Sequence, residues 1–241
     1  DNESPMAKRA LPVMIRELMM SELNPGMKEI LDLLSQWDFN LDGNSWEASF
    51  FTLWFSKLEE YTWADELGEK SVDHNWPNST EMMEILEMDI NSHWLDNIHT
   101  AERETLEMLV IKAFNSAQAD LSKKMGSDHT GWKWHDYRGT NIHHLAKIPG
   151  FGAEHLKTSG GRGVPNATRE TFGPSWRYAA EMGNPVTAIG IYPGGQSGYP
   201  GSRYYDDFIS KWVQGEYLSL QFENTADEIE GYSVQFKGLN R

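Results

Sequence analysis

Cysteine is missing altogether from the 241 residues. That absence removes disulfides, thiolate zinc sites and Cys nucleophiles together, and it leaves the redox compartment open. Basic residues are few: 21 Lys and Arg stand against 36 Asp and Glu, a formal net charge of −15. A chain this acidic lacks the positive footprint needed for nucleic acid or an anionic membrane surface. No stretch of eighteen apolar residues occurs, so no membrane-spanning helix is expected. His-Glu-x-x-His and Gly-x-Ser-x-Gly are both lacking, as are internal repeats and low-complexity tracts. The opening residues Asp1-Asn2-Glu3-Ser4-Pro5 show neither the basic nor the apolar region of a signal peptide. They read as a cut into the middle of something longer.

What is present suits a packed core. Hydrophobic residues make up 39% and aromatics 12%, too rich for an acidic disordered chain. The length allows one large domain or two small ones.

Residues 1–125 are expected to form a helical segment and residues 126–241 a strand- and loop-rich one, an α+β chain with its helices first. Ala7, Ala10, Leu11, Met14 and Leu18 form one helical stripe; Met27, Ile30, Leu31 and Leu34 form a second, opened by Asn24 and Pro25. Phe50, Leu53, Trp54, Leu58 and Tyr61 make a third, with Asn44 or Ser45 as its cap. Met82, Ile85, Leu86 and Ile90 follow a start at Asn78 or Ser79. The fifth runs from Leu106 through Leu121, with Thr100 as the expected cap and Glu102 and Glu104 in the first turn. Met and Trp at such spacings read as core. The 62–78 stretch reads as a loop. Beyond Gly126, strands are expected at Trp132–Tyr137, Phe172–Met182, Val186–Tyr192 and Tyr232–Phe236, with helical patterning at Arg203–Gln214.

Residue by residue, no site emerges. His129, His135, His143, His144 and His155 share a loop-rich region, but their spacing suits no metal, and His143 and His144 would point to opposite sides of a strand. Asp38-Phe39-Asn40-Leu41-Asp42-Gly43-Asn44 matches the opening of an EF-hand calcium loop. Its twelfth position is Ser49 in place of the bidentate acid, and a capped turn between helices fits equally well. Gly194-Gly195-Gln196-Ser197-Gly198 resembles a phosphate cradle without the Lys-Ser/Thr ending. Asn78-Ser79-Thr80 and Asn166-Ala167-Thr168 match the glycosylation sequon, a triplet common by chance.

The stretch from Gly173-Pro174-Ser175-Trp176-Arg177 to Phe222 is different in kind. Tyr192-Pro193-Gly194-Gly195-Gln196-Ser197-Gly198-Tyr199-Pro200-Gly201-Ser202, Tyr205-Asp206-Asp207 and Trp212-Val213-Gln214-Gly215-Glu216-Tyr217 resemble the C-terminal part of the penicillin acylase family. Trp37-Asp38 with Asn44-Ser45, Trp134, His143-His144-Leu145, Ile148-Pro149-Gly150-Phe151-Gly152, Gly160-Gly161-Arg162-Gly163 and Asn166-Ala167 resemble its other elements in order. Departures are Phe39 for a Gly, His135 for a Gly, Arg138 for a nearby His, and Ser202-Arg203-Tyr204-Tyr205 for Ser-Pro-His-Tyr.

The resemblance implies part of a four-layer αββα N-terminal nucleophile hydrolase, read as a C-terminal fragment of the β chain. In that family a terminal Ser attacks an amide carbonyl with its own α-amino group as base, and a backbone N–H and an Asn bind the oxyanion. Residue 1 is Asp, and neither Ser4 nor Ser45 follows the family's start. No catalytic, cofactor-binding or metal residue is therefore assigned to this chain; the family's structural calcium is held upstream of it. The implied partner is the upstream part of the same precursor, and the implied location is periplasmic or secreted. The implied parent activity is hydrolysis of an amide in a β-lactam, an acyl-homoserine lactone or another N-acyl compound, the fragment alone being inactive. A non-catalytic binding module using the ten Trp and nine Tyr is the alternative. On the fragment reading, strands near 172–192 should show open edges and apolar surface.

Overall fold

The computed structural model describes residues 2–68 and 75–221. The chain is α+β, with helices first and a small antiparallel sheet late. It forms two compact units, Asp1–Gly173 and Pro174–Arg241.

The first unit is helical. Helices α1 (Pro5–Leu18), α2 (Pro25–Leu34), α3 (Trp46–Leu67), α4 (Ser79–Met88), α5 (Leu106–Met125) and α6 (Trp134–Arg138) follow in order. Side chains close the N-termini of the first five: Ser4 accepts from Ala7 N, Asn24 from Met27 N, Ser45 from Ala48 N, Asn78 from Thr80 N and Thr105 from Met108 N. Each removes an orphan donor, worth about 1 kcal/mol.

Helix α3 buries a broad face, with Phe51, Trp54, Leu58 and Trp63 recurring every three to five residues. It packs along α5, where Phe50 and Phe114 meet edge to face at 4.9 Å and Trp54 and Phe114 at 5.2 Å. The buried Trp54 donates its indole N–H to Val110 O at 3.0 Å. Helix α1 lies against α4 and α5, placing Ala7, Ala10, Leu11, Met14 and Leu18 in the core. Full burial of each large side chain contributes about 1.5–3 kcal/mol.

Several expectations are corrected. Trp132–Tyr137 holds no strand; residues 134–138 are helical because Trp134 and Tyr137, one turn apart, stack at 6.1 Å while Trp132 stacks on Phe50 at 6.0 Å. The fifth helix begins after Thr105, because Thr100 binds Glu104 Oε1 at 2.9 Å within a separate loop. Helix α3 continues to Leu67, taking residues 62–67 from the expected loop because Trp63 is buried. His143 and His144 are in a loop closed by a bridge between Ile142 and Ala153.

In the second unit β1 (Arg177–Glu181), β2 (Thr187–Ile191) and β3 (Leu218–Leu220) form an antiparallel sheet in that order. Ala179 faces Ile189, and Gly190 lies between Tyr178 and Leu218. The two expected strands are present with shorter bounds; β3 was not anticipated. Within the expected Arg203–Gln214 helix only α7 (Ile209–Gln214) is helical, as residues 203–208 form turns held by local hydrogen bonds. The expected strand at Tyr232–Phe236 falls outside the described residues. Among the described residues β1 is an outer strand, and Tyr178 through Glu181 are exposed.

Candidate functional site

The segments of the first unit that carry the family resemblance come together. The turn at residues 37–45, helix α6 and the loop at 158–168 meet around Arg138. Its guanidinium donates to Thr158 O at 2.7 Å, to Thr158 Oγ1 at 2.6 Å and to Gly160 O. It also lies 4.8 Å over the Trp134 ring, one helical turn before it. Thr158 Oγ1 is shared with Thr140 Oγ1 at 2.7 Å. Burial lowers the Arg138 pKa to about 10, so the cation remains charged at neutral pH; its two terminal nitrogens bind oxygen atoms while Nε is buried without a partner.

The same loop is tied to the 37–45 turn. Ser159 Oγ accepts from Gly43 N at 2.9 Å, Leu41 O accepts from Gly160 N at 2.7 Å, and Gly43 O accepts from His135 N at 2.8 Å. Farther along, Arg162 pairs with Glu59 of α3 at 3.1 Å, and Ser79 Oγ donates to the same carboxylate at 3.1 Å. The Glu59 side chain is only 6% exposed. Two charges and most of the loop's backbone groups are thus spent on holding the loop in place.

The candidate serines are structural. Ser4 and Ser45 both act as helix caps, and Ser45 Oγ also donates to Glu47 Oε2 at 2.7 Å. The histidines do not converge. His129 packs edge-on against Trp46 at 4.7 Å, and buried His135 binds Asp136 at 2.8 Å. His144 lies against Phe151 in its loop, while His155 holds a left-handed backbone with φ of 54°.

The Asp38–Asn44 turn is closed by its own side chains. Asp38 Oδ1 accepts from Asn40 N at 2.9 Å and Asp42 Oδ1 from Asn44 N at 2.8 Å, so both carboxylates fold back on their own backbone. Ser49, in the twelfth position, is buried within α3. Among the described residues no group of three or more His, Asp or Glu is placed to hold a metal. Phe39 has a φ of 61°, the conformation that a Gly in the family pattern adopts freely, and its ring packs against Trp37 at 5.7 Å.

In the second unit the Gly194-Gly195 loop is closed by internal hydrogen bonds. Gly194 O accepts from Phe208 N at 2.9 Å, and Ser197 N donates to Tyr204 O at 3.0 Å. Ser197 Oγ and Ser202 Oγ accept from Tyr199 N and Tyr204 N. A Cβ on Gly195 would strike Tyr204 O and Asp207 Oδ1, which is why Gly stands there. Of the sequon residues, Asn78 is a cap and Asn166 Nδ2 donates to Asn2 Oδ1 and Ser159 O. Sequence reasoning noted Arg138 only as a departure and Glu59 not at all. The one available signal was the helical spacing of Trp134 and Arg138.

Acyl-homoserine lactone acylase QuiP of Pseudomonas syringae pv. tomato is 24% identical over 231 residues, covering 86% of this chain and 28% of that protein. QuiP of Pseudomonas aeruginosa is 22% identical over 229 residues, covering 81% and 27%. The chain therefore spans less than a third of the length of these relatives. A solved thermostable penicillin G acylase from Alcaligenes faecalis superposes with a TM-score of 0.61 at 14% identity, over 100% of this chain and 47% of that one. No helix among the described residues is long and apolar enough to cross a membrane. The penicillin amidase model matches residues 1–228, covering both the Arg138 junction and the Gly194-Gly195 loop. With motifs in order, shared fold and this match, the chain belongs to the penicillin amidase family.

Proposed function

We propose that this chain is the C-terminal scaffold part of an acylase that hydrolyses the amide of an N-acyl compound. Acyl-homoserine lactones are the preferred substrate class, since the relatives quoted above carry that name; a β-lactam amide is chemically equivalent at the scissile bond. Attack by a terminal Ser supplied elsewhere in the precursor gives an acyl-enzyme, which water releases as a carboxylic acid. The role of the present residues is to hold the loop and sheet against which that centre is built. We place the assembled protein in the periplasm or outside the cell.

The observation that carries this reading is the use of the family's motifs. Ser45 caps α3, Arg162 ties its loop to Glu59 and Gly195 admits a close backbone approach, so these motif residues serve packing. The strand β1, outermost among the described residues, supports it too: Trp176 is 52% exposed and Tyr178 is 49% exposed beside it, a surface suited to further strands of the precursor. The binding-module alternative draws less support, because Trp37, Trp54, Trp63, Trp132, Trp134 and Trp212 are buried in cores.

The test is an acylase assay on long- and short-chain acyl-homoserine lactones, using the chain alone and the chain co-expressed with the segment encoded upstream. The chain alone is expected to be inactive and the combination active. Turnover by the chain alone at the rate of an intact acylase would overturn the proposal.

A further inference from the structure

Helix α1 packs chiefly on α4 and α5 and leaves its side toward α2 open. A groove lies there in two adjoining parts, of about 390 and 740 Å³, which share Ile15, Met19 and Ser35. Leu11, Leu34 and Phe39 line the smaller part. Around the groove stand Arg16 and Lys28 with Glu22 and Asp32, so the two signs balance and charge selects no ion. Met19 is 68% exposed and Met20 is 71% exposed, flexible apolar side chains held in water beside it. Contiguous apolar surface with a polar rim marks an interaction site, and Met side chains adapt to what they meet.

The first residues of the chain lie at one end of this groove. Ser4 N donates to Phe39 O at 2.9 Å and Leu41 N donates to Asn2 O at 3.0 Å, so residues 2–4 run antiparallel to residues 39–41. Asn2 is two extended residues, about 7 Å, from the residue bonded to Phe39. Any polypeptide joined to Asp1 is therefore tethered beside the groove, and tethering supplies a high effective concentration. The chain spans less than a third of its relatives' length, which leaves ample polypeptide for the role.

We propose that the groove between α1 and α2 seats an apolar segment of the same precursor, the polypeptide that precedes Asp1. This rests on the reading above that the chain is one part of an acylase. The segment lays its apolar face on Leu11, Ile15, Leu34 and Phe39 and is covered by Met19, so α1 and α2 gain the packing that they do not give each other.

This chain has no cysteine, so Ser35→Cys places one thiol in the groove. Its alkylation by iodoacetamide, followed by peptide mass spectrometry, is compared in the chain alone and in the continuous precursor. The rate should be at least about tenfold lower in the precursor, as for a site reached only by local opening. Exchanging the residues before Asp1 for a Gly-Ser linker of about fifteen residues, the length of a helix lying along α1, should restore the free rate. Met19→Glu, at an exposed position, should restore it too without changing the urea melt of the chain alone. Acylase turnover of the same precursor separates the two readings. An active precursor whose thiol reacts at the free rate overturns the groove assignment alone; an inactive precursor with a protected thiol overturns the acylase reading alone. Protection that survives the linker, or slow alkylation of the chain alone that quickens on dilution, puts another part of the precursor or a second copy in the groove and overturns the proposal.

Discussion

The indole N–H of Trp134 reaches the carbonyl oxygen of Gly160 at 2.7 Å, joining α6 to a loop 26 residues later. Gly160 can take this position only without a side chain. Its φ is 89°, and a Cβ would meet the backbone oxygen and the amide of Asn166. Gly160→Ala is expected to cost about 2–4 kcal/mol through both strain and collision. Gly131→Ala, with nothing within 4 Å, should stay within about 0.5 kcal/mol. Urea melts of the two variants check the contrast; equal stabilities would refute the packing described.

The Arg162–Glu59 pair is asymmetric in burial, at 37% and 6% side-chain exposure. Arg162→Ala leaves a buried carboxylate with Ser79 as its remaining hydrogen-bond partner among the described groups, and should cost about 2–4 kcal/mol. Glu59→Gln leaves a half-open guanidinium that water can solvate, and should cost about 1 kcal/mol. Thermal melts in which the Gln variant is the less stable would reverse this assignment.

Ser45 caps α3 through Ala48 N at 3.0 Å. Ser45→Ala should lower stability by about 1 kcal/mol, and Ser45→Asn should recover most of it because Asn also caps. In the assembled acylase, Ser45→Ala should leave turnover at saturating substrate unchanged. A loss of turnover without a loss of stability would make Ser45 chemical rather than structural.

Arg9 binds Glu87 through two parallel bonds of 2.8 and 2.7 Å, linking α1 to α4. The guanidinium holds the Glu87 carboxyl below its ordinary range. The folded state therefore binds fewer protons than the unfolded state in acid, so the stabilisation is present above the ordinary carboxylate range. It is lost as pH falls through the depressed value. Glu87→Gln should be slightly less stable than wild type at pH 7 and equal to it in strong acid. High salt should shrink the difference, because the pair is exposed.

Much of the helical layer could be read from the chain itself. Apolar spacing located α1, α2, α4 and the body of α5, and Asn24-Pro25, Asn44 or Ser45, and Asn78 or Ser79 marked starts, because caps and periodicity are local properties. The family's second-unit motif was equally legible, since the Gly194-Gly195 turn is closed by neighbours within fifteen residues. The failures share a cause. Trp132-Lys133-Trp134-His135 alternates as a strand would, yet Phe50 and Tyr137 draw the two Trp rings into a helical arrangement. Thr100 and Thr105 are equally good caps in isolation; the bond from Thr100 to Glu104 decides between them.

The sequence by itself determined most of the helix periodicity, the acidic charge and the family. Those depend on residue type and short spacing, and they survive without knowledge of distant partners. Only the tertiary structure decided that Arg138 is the centre of a scaffold junction and that Glu59 is buried against Arg162. Both depend on which oxygen atoms surround a charge after burial, and burial is set by segments 20 to 103 residues away.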